Sequence, residues 1–193
     1  MTIPIILAST SRYRASLLQK LRVPFDVAAP NIDETPHRHE SPRDSALRLA
    51  REKAMKIAEE HEDGLIIGSD QVAEINGHLL GKPGSRKCAI DQLRASSGRC
   101  VRFYTAVCLV DARSLKTLSD IDITKAYFRK LSDDQIDRYV DIDEPFDCAG
   151  GFKSEGLGIT LFDKLETDDP NALVGLPLIK LTRLLERFGY PIL

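Results

Sequence analysis

Leu65-Ile66-Ile67-Gly68-Ser69-Asp70-Gln71-Val72 is an apolar run that meets two small residues and then carries one acid and one amide. A short apolar run of this kind predicts a buried strand, and Gly68-Ser69 predicts a tight turn at its end. Asp70 is then delivered to the rim of a sheet, where α/β proteins collect their ligands. Two readings of Asp70 are open at this point. It is a turn residue bonding its own backbone, or a carboxylate fixed on a rigid element to hold a metal or orient a water.

The flanking segments alternate strand and helix signals. Ile3–Leu7 predicts a strand, Ala8-Ser9-Thr10-Ser11 a turn and helix cap, and Arg12–Leu21 a helix with Leu17, Leu18 and Leu21 on its apolar face. Phe25–Ala28 predicts a short strand. Ser45–His61 predicts a long amphipathic helix, with Leu47, Ala50, Ala54, Ile57 and Ala58 at helical spacing. Asn76-Gly77, between Val72–Ile75 and His78–Leu80, has the signature of a type I′ hairpin. A helix is expected over Arg86–Ser96, and long strands over Val101–Val110 and Lys116–Phe128. Ser132 and Gln135 form a capping box opening a helix to Val140. Gly158–Leu165 predicts another strand, and Pro177, read as a first helical position, opens a final helix ending at Gly189. The expected fold class is α/β, a mixed central β-sheet flanked by helices. With no repeat or linker in view, residues 1–193 are read as one domain.

Composition narrows the partners. The chain has 193 residues, 42% hydrophobic and 29% charged, with a net charge of -2, so no broad basic field marks it for nucleic acid. No apolar run approaches the ~20 residues of a membrane span, and no signal-peptide pattern opens the chain. Cys88, Cys100, Cys108 and Cys148 have neither CxxC nor metal-ligand spacing, and the apolar neighbours of most of them predict buried free thiols. These features predict a cytoplasmic protein.

Five clusters could carry chemistry. Ser9-Thr10-Ser11-Arg12-Tyr13-Arg14 sits where a strand meets a helix, an arrangement that receives phosphates through free N–H groups and guanidinium donors. Asn31-Ile32-Asp33-Glu34-Thr35 is an acidic loop whose oxygens suit a hard cation, or a merely solvated one. Lys53 falls at the edge of a helix's buried face and either snorkels to water or points into a cleft. Gly81-Lys82-Pro83 presents one lysine on a rigid turn, and Cys148–Gly156 surrounds Lys153 and Glu155 with small residues. No histidine pairs with a nucleophile, and no nucleophile elbow is present, so covalent catalysis is disfavoured.

Taken in order, Leu7-Ala8-Ser9-Thr10-Ser11, Asp33-Glu34, Lys53-Ala54, Gly68-Ser69-Asp70-Gln71-Val72, Gly81-Lys82-Pro83, Ala149-Gly150 and Gly175-Leu176-Pro177 resemble the motif series of the Maf family of nucleotide pyrophosphatases. Each piece is weak, and the ordered set is specific. Tyr13, Gln71 and Phe152-Lys153-Ser154-Glu155-Gly156 resemble the branch acting on 7-methyl-GTP, although Arg12 stands where the family usually has Pro and Tyr13 where the branch usually has Trp. The resemblance implies a fold akin to inosine-triphosphate pyrophosphatases, with a ligand cleft between two lobes. It also implies a homodimer and hydrolysis of 7-methyl-GTP to 7-methyl-GMP and pyrophosphate.

Under that resemblance Ser9, Ser11 and Arg14 take the triphosphate, and Lys53 and Lys82 neutralise oxygens around the scissile bond. Glu34 and Asp70 hold a divalent cation, Mg²⁺ ahead of Mn²⁺ or Co²⁺, and Asp70 orients the attacking water. A carboxylate alone is a weak base at neutral pH, so the metal is needed to acidify that water. Tyr13 offers an aromatic face to the cationic methylated base. Glu155 accepts from the guanine N1–H and N2 edge, and Gln71 bonds base or sugar. The alternatives are a pyrophosphatase for UTP, dTTP or other non-canonical nucleotides, and a non-catalytic nucleotide-binding regulator of septum formation.

Overall fold

Strand β1 (Ile5–Ala8) is buried at every position, as expected of a parallel strand covered on both faces. The computed structural model describes residues 3–193. After β1 come α1 (Arg12–Gln19), β2 (Asp26–Ala28), α2 (Pro42–Ala58), β3 (Leu65–Ile75), β4 (His78–Leu80) and α3 (Arg86–Ser96). Then follow β5 (Cys100–Asp111), β6 (Thr117–Phe128), α4 (Asp133–Asp143), β7 (Phe162–Glu166) and α5 (Leu178–Arg187). The strand order is β2-β1-β3-β5-β6-β7, with β4 on β3. β1 is parallel to both β2 and β3, whereas β3–β4 and β6–β7 are antiparallel. The mixed α/β sheet anticipated above is therefore present. Among the described residues no helix is long and apolar enough to cross a membrane.

The chain divides into two compact units. One comprises the residues up to Gln71, Thr105–Asp122 and Asp169–Leu193; the other comprises Val72–Tyr104 and Ile123–Asp168. In the first, alternate residues Ile5 and Leu7, Leu65 and Ile67, and Val107 and Leu109 form one core with Leu17 and Leu18 of α1 and Leu178, Leu181, Leu184 and Leu185 of α5. The period of two along the strands sends these side chains to one face. In the second unit, Phe103, Phe128, Phe152 and Phe162 pack edge to face with centroids 4.8–5.7 Å apart. Arg86 pairs there with Asp137 and Asp141, and Arg94 with Asp133, linking α3 to α4.

One expectation is corrected in the stretch Leu65–Val72. Gly68-Ser69 is no turn, because β3 continues unbroken from Leu65 to Ile75. Asp70 is mid-strand. It lies past the end of its neighbour, since the β1–β3 register ends at Leu7 and Ile67 and β1 itself ends at Ala8. Gly68 serves close packing instead: a Cβ there would lie 2.1 Å from the Ala50 carbonyl oxygen and 2.8 Å from the Ala54 nitrogen, both in α2. Several boundaries also move. Helix α2 starts earlier, capped by Ser41 with Pro42 in its first turn. Leu157–Leu161 is a 3₁₀ turn that precedes β7. Pro177 is the N-cap of α5, one position before the helix. The Asn76-Gly77 hairpin is as expected, with both φ positive at 50° and 82°.

Gly68→Ala is expected to destabilise the protein by at least ~3 kcal/mol, the upper range for overpacking against backbone. Urea unfolding checks this, and a midpoint like the wild type's would contradict the close packing of α2 on β3.

Candidate active site

The close approach at Gly68 brings a lysine onto an aspartate. Residues 66, 68 and 70 share one face of β3, and α2 covers that face at Ala50 and Ala54. Lys53, on the same helix, directs its ammonium to Asp70, with Nζ 2.6 Å from Oδ1. The same ammonium is 2.7 Å from Glu34 Oε1. Lys53 and Asp70 are buried, whereas the Glu34 side chain is 59% exposed. Of the two readings of Lys53, the structure has the inward one. A buried lysine needs partners of opposite charge, and it has two.

Glu34 is held in place by its loop. Asp33 Oδ1 accepts from the Thr35 backbone N–H at 2.9 Å and from its hydroxyl at 2.6 Å, bonds that hold the Asp33 carboxyl below its usual pKa. Arg48, one helical turn and a half before Lys53, bonds Glu40 through Nε and Nη2 at 2.7 and 2.9 Å. It also reaches Glu52 at 3.0 Å and the Thr35 carbonyl at 3.3 Å. A bidentate guanidinium–carboxylate pair is the strong form of this contact. It pulls the Glu40 pKa down to about 2.

At the β1–α1 junction, Ser11 is the N-cap and accepts from the Arg14 backbone N–H. Ser9 Oγ accepts from the Ser11 N–H at 3.1 Å and lies 3.4 Å from Arg14 Nη1. Arg14 Nε donates to the Gly175 carbonyl at 2.9 Å. Desolvation lowers the Arg14 pKa, opposed by the charges of Asp70 and Glu34. Hydroxyls, the first turn of a helix and a partly desolvated guanidinium thus come together at this junction. Tyr13 follows on the same turn, with the Arg12 guanidinium 4.9 Å from its ring centroid. A cation already lies over that aromatic face.

Ser69 and Gln71 point to the opposite face of β3 from Asp70. Gln71 Nε2 is within 3.0–3.1 Å of Thr105 Oγ1, the Ala172 carbonyl and the Leu173 carbonyl. Its amide nitrogen is thus engaged inside this unit. Ser69 Oγ is 2.8 Å from the Ala106 carbonyl and 2.9 Å from the Gly175 carbonyl. Sequence reasoning missed these supports. The signal for them was the turn-forming Asp169-Pro170-Asn171 ahead of Gly175.

Two carboxylates converging on one cation also form the sparse oxygen set that Mg²⁺ takes, the rest coming from water and substrate phosphate. Glu34 and Asp70 therefore fit a hard divalent ion. Among the described residues no group of three or more His, Cys, Asp or Glu side chains adds a fuller cage.

The second unit holds the remaining expected residues. Lys82 and Glu155 are exposed. The segment around Glu155 is anchored by Phe152 in the aromatic cluster and by Tyr139, whose hydroxyl accepts from the Lys153 N–H at 2.9 Å. Burial pushes the Tyr139 pKa upward. The Lys153 ammonium is spent on the Asp143 carbonyl.

Comparison with known proteins gives the family and the fold. The Maf-like protein family model matches residues 4–188. A protein named 7-methyl-GTP pyrophosphatase from Ralstonia nicotianae is 51% identical over 189 residues, covering 98% of this chain and 97% of that one. Another of the same name, from Aromatoleum aromaticum, is 54% identical over 185 residues, covering 96% and 95%. Among solved structures, the Staphylococcus aureus Ham1 protein superposes with a TM-score of 0.54 at 14% identity, covering 96% of this chain and 99% of that one. That likeness establishes a shared fold.

The Arg48–Glu40 pair predicts an acid limb in stability. Because the folded pKa of Glu40 is depressed, its contribution is present above the ordinary value of 4.5 and is lost as pH falls towards about 2. Glu40→Gln should flatten the loss of urea stability across that window. An acid limb as steep as the wild type's would contradict the role of the pair.

Proposed function

We propose what this chain, which belongs to the Maf family, does with that site: it hydrolyses 7-methyl-GTP to 7-methyl-GMP and pyrophosphate. The observation that carries the reading is the convergence of Asp70 and Glu34 on the buried Lys53. Relatives about half identical over nearly the full length carry that activity in their names. Cys108 is buried as expected, whereas Cys88 is exposed and Cys100 and Cys148 are half-buried; four free thiols suit a reducing cytoplasm.

The residues divide the work as follows. Ser9, Ser11 and Arg14 bind phosphate oxygens, the guanidinium through the N–H groups not given to Gly175. Lys53 and Lys82 offset charge that builds on the α-phosphate and on the leaving pyrophosphate. Lys53 also fixes Asp70 Oδ1, so that Oδ2 faces the attacking water. The water oxygen bonds the α-phosphorus in line as the bond to the bridging oxygen breaks, and its proton passes to Asp70. Glu34 and Asp70 would hold a divalent cation, which when bound supplies charge neutralisation and a more acidic water. Tyr13, through the ring face that Arg12 does not cover, is assigned the cationic methylated base and Glu155 its N1–H and N2 edge, the combination that favours 7-methylguanine over pyrimidines. Gln71 is assigned base or sugar.

Asp70→Asn should keep nucleotide binding while losing ~10²–10³ in kcat, the cost of removing one well-placed group in such a site. Pyrophosphate release at near wild-type rate would remove Asp70 from this role. EDTA should abolish turnover and Mg²⁺ restore it. With 7-methyl-GTP, GTP, UTP and dTTP at equal concentration, 7-methyl-GTP should be turned over fastest, and Tyr13→Arg with Glu155→Gln should erode that preference. A wild-type preference for UTP or dTTP would instead favour the non-canonical-nucleotide reading.

A further inference from the structure

Asp169 is fully buried and closes a loop whose carbonyls back the strand carrying Asp70. Its Oδ1 accepts from the Asn171 backbone N–H at 2.8 Å and from Asn171 Nδ2 at 3.0 Å. Its Oδ2 accepts from the Ile179 N–H at 2.6 Å, in the first turn of α5. That helix needs an outside acceptor, since Pro177 at its N-cap makes no capping side-chain bond. A carboxylate there satisfies a free N–H and meets the positive end of the helix dipole. One side chain thus ties both ends of the segment 171–179, with the 3₁₀ turn Ala172–Val174 inside it.

The carbonyls of that segment face β3. The Ala172 and Leu173 carbonyls take Gln71 Nε2, and the Ala172 carbonyl also takes the Thr105 hydroxyl at 2.9 Å. The Gly175 carbonyl takes both Ser69 Oγ and Arg14 Nε, each at 2.9 Å. Asp70 is therefore flanked in sequence by two residues bonded to this loop, and Arg14 is oriented by the same loop. No side chain of the loop takes part in these bonds. The loop acts only through where its carbonyls point, and Asp169 sets that.

We infer that Asp169 is a positioning residue for the reaction, acting through the 171–179 loop to aim Asp70 and Arg14. The inference rests on the working roles given to those two residues above. Replacing the carboxylate by an amide leaves one acceptor oxygen for donors at both ends of the loop, so either the Asn171 or the Ile179 N–H faces an NH₂ group; the loop relaxes, and Ser69, Gln71 and Arg14 lose fixed partners together. Small displacements matter here, because a misplacement of about 1 Å can cost ~10²-fold in rate.

The test is a double-mutant cycle of Asp169→Asn and Ser69→Ala, assayed on whichever nucleoside triphosphate the wild type turns over fastest, with thermal unfolding and amide exchange in parallel. Asp169→Asn should lower kcat by roughly 10–100-fold, with KM changed less than about threefold because Arg14 keeps its charge. Adding Ser69→Ala should cost little more, since both act through one loop. A folded Asp169→Asn protein with wild-type kcat, or fully additive losses, would overturn the inference. Should Asp169→Asn fail to fold, Ser69→Ala and Thr105→Val each remove one bond to the loop's surroundings and take over the test. A several-fold loss of kcat in a folded variant supports the inference, and wild-type kcat in both overturns it. Should the wild type turn over no triphosphate, the functional reading fails by itself. Amide exchange then decides: residues 69–71 should exchange faster in Asp169→Asn while β1 stays protected, and unchanged exchange there counts against Asp169.

Discussion

A buried ammonium shared by two carboxylates is the constraint on which the site depends. Lys53 Nζ sits 2.6 Å from Asp70 and 2.7 Å from Glu34. Moving a charge out of water costs several kcal/mol, and only close, well-aligned partners recover it. The alignment comes from backbone packing. Gly68 lets α2 approach β3 until a Cβ would strike the Ala50 carbonyl, and the next residue on that face is Asp70. Stability and reactivity are thus coupled at one point. The contact that makes the buried lysine tolerable also fixes the oxygen geometry of the proposed base.

The remainder of the first unit aims this cluster. Arg48 anchors the acidic loop through Glu40 and the Thr35 carbonyl, and so delivers Glu34. On the far side of β3, the Gly175 carbonyl joins Ser69 to Arg14. Asp70 therefore has its ion pair on one face of the strand and hydrogen-bonded neighbours on the other. A carboxylate held in this way is pre-organised for water, which suits hydrolysis of a phosphoanhydride by direct attack.

Much of this was legible in the sequence, because local chemistry states it. The Asn76-Gly77 hairpin, the Ser132–Gln135 capping box and the Ser11 N-cap form as their residues require. Asp70 does stand on a rigid element, but not for the local reason the sequence suggests. Glycine after an apolar run suggests a turn, whereas here it accommodates a helix across the sheet, a tertiary fact that no window of sequence contains. The inward course of Lys53 was equally undecidable, since a lysine at the edge of an apolar face snorkels unless partners distant in sequence await it. Glu34 and Asp70 are such partners. Asp169 went unread because its bonds run to Asn171 nearby and to Ile179 across the loop, and only the second shows its purpose.

The most direct measurement is the urea stability of Lys53→Met, Asp70→Asn and the double variant. Lys53→Met alone strands a buried carboxylate and should lose roughly 3 kcal/mol or more, the cost typical of breaking a buried pair from one side. Adding Asp70→Asn should then restore a good part of that loss, because the stranded charge is gone. Losses that simply add, or a Lys53→Met protein as stable as the wild type, would contradict the shared ammonium as the organising contact.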